Sequence, residues 1–213
     1  MNITIFGASG KTGSILVNEA LRKGHHVTAF VRQASRINLR HKNLQVVEGS
    51  LKNMDQLRSA LAGKQAVISA LGVSKTLHHD PEVIEGISHI VQAMAKENVP
   101  QMIYQSVFLT ETGPGEFSFF VRNILKRIIR KEVEDHRVKE KLIREAVTNY
   151  TLVRPVRLTN GPFTGKFHHG IMIASTDFLP SISRADVAYF MLQQLTDETY
   201  RNKAVRLMAG IKS

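Results

Sequence analysis

Three glycines at intervals of three, Gly7, Gly10 and Gly13, follow the apolar run of residues 2–6. The chemistry that this spacing serves is the holding of phosphate. Glycine at a strand end lets the backbone turn sharply, and a second lets an anion reach backbone amides with no Cβ in the way. The third lets the following helix pack closely on the strand. The unpaired N–H groups of the first helical turn, at the positive end of the helix dipole, then face a pyrophosphate, and Ser9 and Thr12 add hydroxyl donors. A tight turn without a ligand is the alternative.

A second group of residues selects among dinucleotides. A carboxylate after the second strand accepts bonds from a ribose 2′-OH, whereas cations there suit a 2′-phosphate. The stretch FVRQASR ends that strand with Arg32, and Arg36 follows four residues later. No acid lies between Glu19 and Glu48, while Arg22, Lys23, Arg32, Arg36, Arg40 and Lys42 fall in that interval. Guanidinium groups offer planar, charge-assisted forks to phosphate oxygens, so NADP is expected over NAD. A solvated basic loop is the plainer reading. The double histidines His78-His79 and His168-His169 give no metal expectation, because adjacent side chains rarely converge on one ion.

The elements that must position these groups alternate between strand and helix. Strands are expected at 2–6, 27–31, 44–49, 66–71, 101–106, 150–155 and about 204–208, and helices at 11–23, 54–62, 81–97 and 184–195. Gly24 supplies a left-handed stop for the first helix. Residues 119–146 repeat apolar pairs at helical spacing, with an interruption expected near Asp135-His136. Residues 157–183, rich in glycine and proline, read mostly as loop. The pattern predicts an α/β fold: one domain over residues 1–213, a doubly wound, mostly parallel sheet of Rossmann type, with substrate loops at its carboxyl edge. The chain has 213 residues, 43% of them hydrophobic, with no apolar run long enough to span a bilayer. It has no cysteine, which excludes disulfides and thiolate chemistry. It opens without the basic and apolar segments of a signal peptide, and a cytoplasmic address is expected.

The motifs GASGKTG, VTAFVRQASR, AGKQAVISALG, EGISHIVQAMAKENV, DHRVKEKLIRE, YTLVRP, PFTGKF and SISRADVAYFML run in order over nearly the whole chain. In them the sequence resembles the NADPH-dependent flavin reductase and biliverdin reductase B group of atypical, NmrA-like short-chain dehydrogenases. The resemblance implies that Gly7, Ser9, Gly10, Lys11, Thr12 and Gly13 hold the pyrophosphate and that Arg32 and Arg36 hold the 2′-phosphate. It places Ser50 and Leu51 at the adenine, Leu71 and Gly72 at the ribose, and Tyr104, Gln105 and Ser106 at the nicotinamide, with Pro155 also beside the cofactor. Ser50 stands where related sequences usually carry aspartate. His136 takes the position of the catalytic lysine of ordinary short-chain dehydrogenases, and Glu132 that of their tyrosine. Arg157 replaces a histidine that lies beside the substrate in the biliverdin-reducing relative.

Without a Tyr–Lys pair, simple ketone reduction is disfavoured. A planar acceptor such as FMN or FAD asks less, because its ring nitrogens exchange protons with water while the protein holds two rings in contact. Ser106, at the end of the fifth strand, is a candidate donor to nicotinamide or acceptor, or else merely closes the strand. His136 is a candidate catalytic residue, or a surface histidine. Phe108, with Phe117, Phe119 and Phe120, could wall an acceptor pocket or pack a core. Arg157 could pair an anionic acceptor or form a structural salt bridge. The net charge of +11 raises nucleic acid as a partner. Residues 122–145, however, mix nine Lys/Arg with five Asp/Glu and have no aromatic residues among them, so neither nucleic acid nor membrane is expected as a partner. The partner expected is a small-molecule acceptor. The rival function is a non-catalytic NADP sensor of NmrA type.

Overall fold

The computed structural model describes residues 1–72, 79–111, 130–173 and 179–210. The first half runs β1 (Asn2–Phe6), α1 (Lys11–Arg22), β2 (His26–Val31), β3 (Leu44–Glu48), α2 (Met54–Leu61), β4 (Ala66–Ser69), α3 (Pro81–Lys96) and β5 (Gln101–Gln105). The second half runs α4 (Arg130–Ala146), β6 (Asn149–Pro155), β7 (Arg157–Thr159), β8 (Phe167–Gly170), β9 (Ser181–Ser183), α5 (Arg184–Gln193) and β10 (Lys203–Ala209). Short 3-10 turns occupy Ala34–Arg36 and Phe108–Thr110.

Eight strands form one sheet in the order β3-β2-β1-β4-β5-β6-β10-β8. All neighbours are parallel except β8, which runs antiparallel to β10. The chain steps outward from β1 to β3 and then returns to the other side of β1 as β4. That reversal opens a crevice at the carboxyl ends of β1 and β4, where doubly wound sheets bind ligands.

Strand alternation divides the core between the two faces. Ile3 and Ile5 of β1 face Leu16, Val17 and Ala20 of α1 and Val187 and Met191 of α5. Phe6 faces the other way, with Leu57 of α2, Ile87, Ile90 and Met94 of α3, and Ile143 of α4. The helices start and stop by local chemistry. Asp80 caps α3 by accepting from Val83 N–H, with Pro81 in the first turn. Gly24 follows α1 at φ +82°.

One expectation is corrected and another is refined. α4 runs without a break through Asp135 and His136. Val133, His136, Glu140 and Ile143 share its buried face, so polar residues occupy the stripe that apolar periodicity should mark. The segment 157–183, expected to be mostly loop, has most of its described residues outside strands but also contains three short strands. β7 pairs with β9 in a separate two-stranded sheet, and β8 extends the main sheet. Phe117, Phe119, Phe120 and His78 lie outside the described residues, as does the start of the long helix expected from residue 119.

Candidate functional site

At the switch point the three glycines are held against one another. Gly7 ends β1 at φ +76°, and a Cβ there would come 2.7 Å from the Ala70 carbonyl oxygen. Gly10 N–H donates to the Gly7 carbonyl at 2.9 Å. A Cβ on Gly13 would fall 2.0 Å from that same oxygen, so only glycine lets α1 sit this close to β1. Gly10 is the N-cap of α1, with no side-chain cap and no acid in the first turn. The first amides of the helix are therefore left for an external anion.

A cleft of about 980 Å³ extends from this turn. Gly7, Ser9, Gly10, Lys11 and Thr12 line its centre, and Gly13 lies buried behind them. At one side Arg32 and Arg36, both exposed, line the same cleft. The 3-10 turn that presents Arg36 is pinned by Glu48, whose Oε2 accepts Ala34 N–H at 2.7 Å. Beyond them lie Ser50 and Leu51, with Lys52, Asn53 and Gln56, and at the other side Leu71, Gly72 and Gln105. The turn, the arginine pair and these two flanks were all anticipated and are brought together. Glu48, Lys52, Asn53, Gln56, Asp80, Leu158 and Arg184 also line the cleft and were missed. Two of them left a trace in the sequence: Asp80-Pro81 is a helix-start signal, and Glu48 ends the acid-free stretch.

Several expected site residues are not in that wall. Ser106 is 1% exposed, and its hydroxyl donates to Glu140 Oε1 at 2.6 Å. Glu140 also accepts from Thr110 Oγ1 at 3.2 Å and from Arg154 Nε at 2.9 Å, so the serine belongs to a buried ion-pair network between β5, β6 and α4. Arg154 reaches Glu111 as well, at 2.8 Å, and these contacts hold the Glu111 carboxyl below the usual carboxylate range. His136 is 3% exposed and meets the Tyr104 hydroxyl through Nδ1 at 2.9 Å. Burial, aided by the nearby Lys139 charge, drives the His136 pKa well down, so the imidazole is neutral. Tyr104 is fully buried, and burial followed by the charge of Glu140 pushes its phenol well up. Lys139 is buried too, with its Nζ lacking a hydrogen-bond partner among the described residues, and burial lowers its pKa against the pull of Asp135, Asp80 and Glu132.

The remaining expectations fall as follows. Phe108 is 4% exposed and packs in the core, with the Arg206 guanidinium 5.4 Å from its ring centre, so it is no open wall for an acceptor. Pro155 is buried in β6, and Arg157 is exposed on β7; neither lines the cleft. His79 Nδ1 lies 2.6 Å from Asp135 Oδ1, while His169, on β8, meets the Tyr200 hydroxyl at 2.8 Å. No metal-binding cluster occurs among the described residues. No helix among them is long and apolar enough to cross a membrane. The charged face of α4 carries the expected i,i+4 pairs, Arg130–Glu134 and Lys141–Glu145.

A glycine turn opening an uncapped helix at the switch point of a doubly wound sheet defines a dinucleotide-binding protein. Residues 7–198 match the NAD(P)H-binding family, and the chain belongs to it. A short-chain dehydrogenase/reductase from Veillonella parvula, solved in complex with NADP, superposes with a TM-score of 0.81 at 24% identity, covering 100% of this chain and 95% of that one. An anaerobilin reductase from Escherichia coli O157:H7 gives 0.77 at 19% identity, covering 100% and 99%. Among curated proteins, an uncharacterized chloroplastic protein of Arabidopsis thaliana is 27% identical over 97% of this chain and 76% of its own length. An oxidoreductase of Aspergillus parasiticus is 22% identical over 92% and 79%. The chain is thus an NAD(P)H-binding protein with an oxidoreductase-like fold.

Proposed function

We propose that the protein is an NADPH-dependent reductase of a small planar acceptor such as a flavin. The observation that carries this is the convergence on one cleft of the glycine cradle and of Arg32 and Arg36. The cradle fits a pyrophosphate, because a Cβ at Gly7 or Gly13 would collide with backbone and the helix amides lack a protein cap. The two guanidinium groups fit a 2′-phosphate, with Lys11 adding positive charge at the turn. When bound, NADPH supplies a hydride from its nicotinamide ring. The protein's own part is to grip the phosphates, fix the ribose against Leu71 and Gly72, and leave the redox ring toward Gln105, Leu158 and Arg184.

The buried network bears on the acceptor. Ser106 gives its hydroxyl proton to Glu140, and His136 is buried with Nδ1 at the Tyr104 hydroxyl; neither side chain lines the cleft where a substrate would take a proton. An acceptor whose ring nitrogens exchange protons with water suits such a site. The same burial favours the second reading, a non-catalytic NADP sensor that signals to a protein partner.

Purified protein with NADPH and FMN separates the two. Loss of nicotinamide absorbance above the rate without protein supports the reductase. Tight NADPH binding with no turnover across flavins and quinones supports the sensor and refutes the reductase. Arg32→Ala should weaken NADPH binding by about 10- to 100-fold, the loss of a charge-assisted contact of about 1.5–3 kcal/mol, and leave NADH binding nearly unchanged. Equal losses for both dinucleotides would show that the arginine does not read the extra phosphate.

A further inference from the structure

The small sheet of β7 and β9 stands apart from the main sheet, and it brings two residues to the cleft. β7 follows β6 after Val156, and its register sets Leu158 against Ile182 and Thr159 against Ser183, so Arg184 comes next to the end of β7. Successive strand residues point to opposite sides, and accordingly Leu158 lines the cleft while Arg157 and Thr159 do not. Asp186, 1% exposed, ties this corner from behind. Its Oδ1 accepts Thr164 N–H at 2.9 Å and Gly165 N–H at 3.0 Å, and its Oδ2 accepts from the Thr164 and Ser183 hydroxyls at 2.9 and 2.8 Å. The motifs PFTGKF and SISRADVAYFML meet in this knot.

Arg184 is the charge that the corner delivers. It lines the cleft, partly buried, and its hydrogen-bond partner among the described residues is neutral: Nη1 donates to Asn160 Oδ1 at 2.6 Å. That leaves Nε and Nη2, two donors of the planar fork that grips phosphate or carboxylate oxygens. Of the other cations in the wall, Lys52 lies 3.6 Å from Glu82 and 3.8 Å from Glu85. Lys11, Arg32, Arg36 and Arg184 have no acidic partner among the described residues. The phosphates of the dinucleotide account for the first three. Arg184 stands elsewhere: Arg32 follows β2, whereas β7 continues from β6, and those two strands are four spacings, about 19 Å, apart in the sheet.

A guanidinium without a carboxylate, beside the apolar Leu158 and away from the 2′-phosphate pair, suits the anion of a second ligand. We propose that Arg184 is the specificity-determining residue for the acceptor, which is a planar molecule carrying an anionic arm. The role that the sequence offered to Arg157 falls to Arg184. The inference rests on the reductase reading and adds the charge of the acceptor to it.

The test compares FMN with riboflavin, which has the same ring system without the phosphate. Each is titrated by flavin fluorescence into protein saturated with NADP+, which has no hydride to give, so that binding alone is read. The wild-type protein should bind FMN about tenfold more tightly, the value of one partly exposed charge-assisted contact. Arg184→Gln should bind the two flavins alike, with its NADP+ dissociation constant within about twofold of the wild type. Equal binding of the two flavins by the wild type, or a preference for FMN that survives in Arg184→Gln, would overturn the inference and leave the reductase reading standing. A loss of NADP+ affinity in Arg184→Gln as large as the loss for FMN would also overturn it, by assigning the arginine to the dinucleotide. Binding of neither flavin by the NADP+-loaded protein would overturn both the inference and the flavin reading.

Discussion

The glycines of the turn do different work, and two alanine substitutions should pull that work apart. In Gly13→Ala the new methyl falls 2.0 Å from the Gly7 carbonyl oxygen, whereas Cβ contacts under 3.0 Å essentially never occur. The obstacle is backbone, so α1 must retreat from β1 by about 1 Å, loosening Leu16, Val17 and Ala20 in the core. Overpacking of this kind costs about 3 kcal/mol, of which alanine's better helix propensity returns about 1. A net loss of about 2 kcal/mol lowers the melting temperature of a chain this size by roughly 4–8 °C. Gly10→Ala differs: its methyl lies 3.1 Å from the same oxygen, a contact relieved by a shift of a few tenths of an ångström. The melting temperature should stay within about 2 °C, since the cost is well under 1 kcal/mol. That methyl stands instead on the path by which a phosphate approaches the helix amides, and NADPH affinity should fall at least tenfold, about 1.4 kcal/mol. Calorimetric melting and NADPH titration of both variants read the two effects. A Gly13→Ala protein melting with the wild type, or a Gly10→Ala protein binding NADPH undiminished, would refute the assignment of packing to one glycine and phosphate approach to the other.

Two further outcomes follow from the buried network. Glu140→Ala strands the Arg154 guanidinium, whose side chain is 5% exposed, with only the exposed Glu111 as an acidic partner among the described residues. It should cost about 3 kcal/mol in urea unfolding, near the low end for breaking a buried pair, and a second change, Arg154→Leu, should recover part of the loss. An undiminished Glu140→Ala protein would show that the pair is not integral to the fold. His136 has a folded pKa below its unfolded value, so above about pH 6.5 both states are neutral and it adds no pH dependence. As pH falls below that value the unfolded chain takes up a proton that the folded protein refuses, and stability drops by up to about 1.4 kcal/mol per unit. His136→Gln removes this slope, so the stability gap between wild type and variant should narrow from pH 6.5 to pH 5. A constant gap would mean that the imidazole titrates alike in both states.

The sequence by itself determined the order of the longer strands and helices, the glycine turn and the arginine pair. Each is a local matter: alternation, a positive φ, a helix start, or charge within a few residues of one strand end. It could not say where Ser106 and His136 would point. Their partners, Glu140 and Tyr104, lie 34 and 32 residues away and meet them only when α4 packs on the sheet. The continuity of α4 was hidden for the same reason, since its inward face carries His136, Lys139 and Glu140 where apolar residues were sought. The loop after β3 was half legible. Ser50 and Leu51 were expected beside a cofactor, but the bonds their loop makes depend on Gln56 folding back over Ser50 and on His89 reaching Leu51 from α3. Backbone conformation follows from neighbours in the chain, whereas the availability of a polar atom for chemistry depends on which distant group satisfies it first, and only the assembled tertiary structure decides that.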